Sequence, residues 1–144
     1  MKRLSQCLVK LGVAAANRSQ AVKEAGRLLV DSGCVTPRYV DAVSQNYGEE
    51  VCMVIAPWLA VVHLRDPELV KKNGVGVLTL KKPVRFGFEA SESVRLVVAL
   101  AAQDTAEHLS QIDEIGTLLS CPGQMERLCR AENEEQVRKI LDWR

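Results

Sequence analysis

Two histidines, His63 and His108, are the only ones in the 144-residue chain, and their chemistry stands out. A neutral imidazole nitrogen is a good nucleophile near pH 7. A phosphoryl group placed on that nitrogen is readily passed on, because imidazole is a good leaving group; this is the chemistry of a relay. His63 closes the apolar run 59–63 (LAVVH) and a polar stretch follows it. A side chain at a strand end has its backbone fixed by the sheet while its tip meets solvent. His108 ends the segment 104–108 (DTAEH), in which Asp104 and Glu107 form a capping box. It therefore falls in the first turn of a helix, where free N–H groups and positive partial charge suit a phosphate and disfavour an imidazolium. If both histidines lie at the same end of one sheet, their rings share a site. Position alone also admits two plain roles, a hydrogen-bonded histidine at a strand end and a surface histidine at a helix start.

Other chemistries have less support. Cys7, Cys34, Cys52, Cys121 and Cys129 are odd in number and contain no C-x-x-C pair, so neither a disulfide framework nor a zinc site is indicated. Most of them read as small buried hydrophobes, in a reducing compartment. Asp66, Glu68 and Glu49 offer carboxylates of a kind that is usually solvated. No Walker loop, dinucleotide fingerprint or G-x-S-x-G elbow is present, and no cofactor or metal is called for. Trp58, Tyr39 and Tyr47 are too few and dispersed for a base-stacking surface. A formal net charge of +1 gives no global case for nucleic acid or an anionic membrane.

The elements that must position the histidines follow from periodicity. Residues 7–15 (CLVKLGVAA) read as an opening strand. Asn17 and Gln20 form a capping box, Ala21, Val22, Ala25, Leu28 and Leu29 have helical spacing, and Gly33 is a stop. Thr36-Pro37 starts a second helix with Val40, Val43 and Tyr47 on one face. The pattern then changes to strands at 51–56 and 59–63, separated by Pro57. Residues 64–73 are a polar loop. Residues 74–80 are a strand closed by Lys81-Lys82-Pro83, and 84–88 are a short edge strand, where a neighbouring proline is tolerated. Residues 94–102 read as a strand buried on both faces. The last third is helical: Asp104 caps a helix with the stripe Leu109, Ile112, Ile115, Leu118 and Leu119, Met125 to Cys129 form a short one, and Asn133 caps the last.

The expected fold is α/β, with residues 1–144 forming a single domain in which helices flank both faces of a mixed sheet of about five strands. No apolar run approaches the roughly 20 residues of a membrane span; the longest, 94–102, is interrupted by Arg95. Residues 1–6 (MKRLSQ) make a poor signal peptide. A cytoplasmic protein without direct membrane insertion is the expectation.

Several segments, in order, resemble one family. Residues 54–65 (VIAPWLAVVHLR), 70–74 (VKKNG), 78–84 (LTLKKPV) and the junction 97–108 are similar to segments of the enzyme IIA component of the bacterial sugar phosphotransferase system, mannitol/fructose class, especially its ascorbate-type branch. The resemblance runs from residue 21 to 141. It implies that His63 accepts a phosphoryl group, as tele-phosphohistidine, from the phosphocarrier protein HPr and passes it to a cysteine of the enzyme IIB component. It implies that His108 stabilises the phosphate and that Arg65 neutralises phosphoryl oxygens. Where the family pattern has proline before the histidine this chain has Val62, and where it has a glycine upstream it has Trp58. Mannitol-type members carry an upstream arginine where Asn46 and Tyr47 stand here. Val62 and Trp58 frame an alternative, a regulatory or protein-interaction domain that keeps the fold with weakened or lost phosphotransfer.

Overall fold

Each side-chain cap read from the sequence starts a helix. Oδ1 of Asn17 accepts from the N–H of Gln20 at 3.0 Å, Oδ1 of Asp104 from Glu107 at 2.8 Å, and Oδ1 of Asn133 from Gln136 at 2.9 Å. Each bond satisfies one of the orphan donors that every helix start leaves. The structure is a computed structural model and describes residues 4, 6–45, 48, 51–87 and 93–141. Asn46, Tyr47, Glu49 and Phe88 lie outside the described residues.

In chain order the elements are β1 (Leu8–Val13), α1 (Arg18–Asp31), α2 (Pro37–Gln45), β2 (Cys52–Ala56), β3 (Trp58–Val62), β4 (Gly74–Arg85), β5 (Ser93–Ala101), α3 (Thr105–Leu119), α4 (Gln124–Arg130) and α5 (Glu134–Leu141). The strands form one mixed sheet in the order β1-β4-β5-β3-β2. β1 runs parallel to β4 and β3 parallel to β5, while β4–β5 and β2–β3 are antiparallel. β5 is central, and its side chains alternate between two cores. Val97, Ala99 and Ala101 face one core with Val22, Leu29, Tyr39, Ala60 and Val62, under α1 and α2. Leu96, Val98 and Leu100 face the other with Leu59, Val61, Ile115, Leu118 and Leu128. Each fully buried leucine or valine contributes about 2 kcal/mol of transfer free energy. The expectation that this strand is buried on both faces holds for that reason.

Two expectations need correction. Residues 74–80 and 84–88 are not separate strands, although the second part does lie at an open edge of the sheet. Residues 74–85 are the single strand β4, between β1 and β5. Pro83 is tolerated because the pairing of β1 with β4 ends at Val13 and Leu80. Beyond that point one side of β4 has no strand partner, so the missing N–H breaks no ladder there. On the other side the register with β5 slips between Thr79 and Val84. In α2 the fully buried apolar residues are Tyr39 and Val43, with Val40 only partly buried. The Tyr39 hydroxyl donates to the carbonyl of Leu100 at 3.2 Å, and burial pushes its pKa well up, so it remains a donor.

The loop before β4 is tied down by backbone bonds. The N–H of Thr36 donates to Leu69 at 2.9 Å and that of Lys71 to Cys34 at 2.7 Å. At the start of β4 the backbone comes so close to Cys34 that a methyl group on Gly74 would collide with Sγ. This fixes the loop that carries Arg65 against the α1–α2 connection.

The β2–β3 hairpin contains the one positive-φ residue other than glycine among the described residues, Trp58 at φ 75°. Pro57 precedes it, and Ala56 pairs with Leu59. Proline followed by positive φ is the signature of a type II turn, whose third position favours glycine. The Arg95 guanidinium lies over the Trp58 ring at 6.0 Å, a contact that offsets part of the backbone strain. The expected result is that Trp58→Gly is more stable than Trp58→Ala by about 1 kcal/mol, the reverse of the usual Gly–Ala order. Urea denaturation of the two variants checks this; an alanine variant at least as stable as the glycine one would mean the turn is unstrained.

Candidate functional site

β3 and β5 are adjacent and parallel, with Val62 opposite Ala99, so both deliver the chain to the same end of the sheet. β3 ends into His63. Its backbone N–H donates to the carbonyl of Val51 at 2.8 Å, which extends the β2–β3 ladder by one step. Ala60 and Val62 face α1 and α2, so by strand alternation Val61 and His63 face α3. β5 ends into residues 102–104, and α3 begins at Thr105. This short junction is held from the side: Gln103 donates through its backbone N–H to Oδ1 of Asn73 and through Nε2 to the carbonyl of Lys71, both at 2.8 Å.

The two imidazoles therefore meet. Their ring centroids are 6.0 Å apart, with planes tilted by 30°. The Arg65 guanidinium, two residues beyond His63, donates from Nη1 to Oγ1 of Thr105 at 3.2 Å. All three residues singled out from the sequence are thus at one end of the sheet, around the start of α3. The pKa of His108 is held below its ordinary value, first by desolvation and then by the positive charge of Arg65 and by His63. His108 is accordingly neutral at pH 7, with one nitrogen carrying a proton and the other a lone pair.

From the histidine pair an open apolar groove of about 290 Å³ runs between β2 and α3. Met53 and Ile55 form one wall, Ile112, Gly116 and Leu119 the other, and Val61 the floor. The α3 stripe read from the sequence needs correction here. Leu109 is 61% exposed and Ile112 39%; the buried positions are Gln111, Ile115 and Leu118. The helix is turned so that part of its apolar stripe is left for the groove. Gln111 was missed because it is polar. Its spacing four residues before Ile115 and seven before Leu118 was the available signal, a polar residue at a core position.

Neither departure at Val62 or Trp58 falls in this site. The Val62 side chain points into the core on the other face of the sheet. Trp58 begins β3, at its far end, roughly 16 Å from His63 at the usual strand rise. The glycine of the family pattern at position 58 is explained by the turn, not by the pocket.

Fold and site together define a class: a single α/β domain built around two facing imidazoles at the carboxyl ends of neighbouring parallel strands. Comparison with known proteins bears on the family and the fold. The family described as "Phosphoenolpyruvate-dependent sugar phosphotransferase system, EIIA 2" matches residues 3–143. The ascorbate-specific PTS system EIIA component of Escherichia coli K12 is 33% identical over 138 residues, covering 93% of this chain and 88% of that protein. The crystal structure of IIA mannitol from Escherichia coli superposes with a TM-score of 0.80 at 30% identity, covering 92% of this chain and 94% of that one. IIAMtl in its complex with phosphorylated IIBMtl gives the same TM-score and identity, with 94% of each chain covered. The chain belongs to the EIIA family of the phosphoenolpyruvate-dependent sugar phosphotransferase system. Among the described residues no helix is long and apolar enough to cross a membrane.

Proposed function

We propose that residues 1–144 form one cytoplasmic phosphoryl-carrier domain that receives a phosphoryl group on His63 from phospho-HPr and delivers it to a cysteine of an enzyme IIB partner. The observation that carries this reading is the juxtaposition of His63 with His108, at 6.0 Å between ring centroids, beside Arg65. The P–N bond of the donor phosphohistidine breaks as a P–N bond to His63 forms. That bond breaks in turn as the IIB thiolate forms a P–S bond. No metal is required, since both steps rest on positioning and charge. A neutral His108 donates one hydrogen bond to the phosphoryl oxygens, and the α3 start and Arg65 supply positive potential. The apolar groove beside the pair, with exposed Met53, Ile55 and Ile112, fits a face on which a partner closes and excludes water during transfer. A complex of phosphorylated IIBMtl with a relative of this chain supports the choice of IIB. Of the two grounds for a domain without phosphotransfer, Trp58 lies at the far end of β3, and Val62, although next to His63 in the chain, turns its side chain to the other face of the sheet.

The test is incubation with phosphoenolpyruvate, enzyme I and HPr. The expected product is an acid-labile phosphoryl group on one imidazole of the folded protein, chased off by a IIB protein. A folded protein that stays unlabelled with an active donor removes the carrier reading.

A further inference from the structure

Gln111 takes part in none of the steps above, yet its surroundings are specific. It lies one turn beyond His108 on α3 and is 1% exposed. Its Nε2 donates to the carbonyl of Ala101, the last residue of β5, at 2.9 Å. It lies 3.4 Å from the carbonyl of Gly74, the first residue of β4, and donates to Oε2 of Glu107 at 3.2 Å. Three acceptors around one NH2 group dictate which end of the amide faces them.

Few other side chains of these first turns are buried. From residue 105 to residue 114, Gln111 is the only buried side chain; the next is Ile115. Leu109 and Ile112 face solvent and the groove. The turn that carries His108 is therefore placed by hydrogen bonds of one amide to two strand ends and not by apolar packing. Apolar packing tolerates sliding, whereas a buried amide with fixed acceptors sets both distance and rotation. The Arg65–Thr105 and Gln103 bonds are exposed and weaker for it.

We propose that Gln111 is the positioning residue for the histidine pair: it locks the first turns of α3 to the ends of β4 and β5 and so sets how His108 faces His63. Its effect on transfer rests on the carrier reading; its effect on the geometry of the pair does not. Displacing a group that contacts the phosphoryl by about 1 Å is enough to slow transfer by tenfold or more.

The test uses Gln111→Met, close in shape and without a donor. With phospho-HPr as donor, the expected result is a transfer rate lower by about tenfold, at a KM for phospho-HPr unchanged within about twofold. Placed in a His108→Ala background, the same substitution should cost nothing more, because Gln111 acts through His108. NMR of the imidazoles supplies a readout free of phosphotransfer. In the variant, the contact between the two rings weakens and the His108 titration moves up toward its ordinary value as the ring leaves Arg65 and His63. An equal loss of rate in both backgrounds, or an unchanged His108 titration and ring contact, overturns the proposal. If the wild-type protein takes no phosphate, the carrier reading fails while the NMR comparison still decides this one. Should the methionine variant not fold, the wild-type protein decides: the Gln111 side-chain NH2 must be protected from hydrogen exchange, and free exchange overturns the proposal.

Discussion

His63→Ala abolishes phosphoryl labelling, lowering it by at least about a thousandfold, while the protein stays folded. The nitrogen that bonds to phosphorus is removed outright, so no residual route through that residue exists. The fold should survive because the substitution keeps the backbone N–H of residue 63, which donates to Val51 at 2.8 Å. The ring projects toward the groove and is only half-buried, so the loss in stability should stay within about 0.5 kcal/mol. Quenched-flow labelling together with a thermal melt checks both halves. One outcome would sink the assignment directly: a variant that still accepts phosphate, with the label on His108. The two rings are close enough to make that a real contest. The proposed carrier reading gives His63 the phosphoryl group and His108 the part of hydrogen-bond donor, so the position of the label decides between them.

His108→Ala leaves labelling possible but slows it by about a hundredfold, the usual cost of removing one preorganised donor from a charged transition state. His108→Gln keeps an N–H donor and should recover part of the loss. The pKa of His108 adds a pH signature. Desolvation, Arg65 and His63 all hold it below the ordinary histidine value, so the folded protein resists its protonation more than the unfolded chain does. The unfolded chain then binds the proton first as pH falls. The stability that a neutral His108 supplies is fully present above about pH 6.5, the ordinary value. It is lost as pH falls through that value toward the lower one of the folded state, and levels off beneath it. His108→Ala should flatten this part of the stability profile, which denaturant titrations between pH 7.5 and 5 (about one unit either side of the ordinary value) would read. Phosphorylation of His63 should act the other way. A dianion against the ring favours the imidazolium, so the His108 titration shifts upward in the phosphorylated protein. An imidazole that titrates identically in both states would place the phosphate away from it and end its role as a donor.

Much of the site was legible because local chemistry specifies it. An acceptor at Asp104 with Glu107 three residues on starts α3, and His108 then falls in its first turn whatever the rest of the chain does. The run ending at His63 has strand periodicity, so its neighbours alternate in and out. The three helix caps and the doubly buried β5 were readable for the same reason: a cap bond spans three residues, and this central strand is apolar throughout from Leu96 to Ala101.

What the sequence by itself determined is therefore most of the elements and the placing of two histidines at a strand end and a helix start; Arg65 entered through the resemblance to a family. Long-range pairing decided the rest. Only the parallel registration of β3 with β5 brings the histidines to one end, because strand order depends on which surfaces bury best together and leaves no local trace. Only the docking of α3 decides which of its apolar residues serve the core and which serve the groove. Leu109 and Ile112 have the spacing of core residues and are exposed, while Gln111, polar and unpromising in the sequence, is the buried one. A helix stripe wider than the core needs can be rotated either way; the carbonyls of Ala101 and Gly74, distant in sequence and adjacent in space, select one rotation, and that rotation puts His108 against His63.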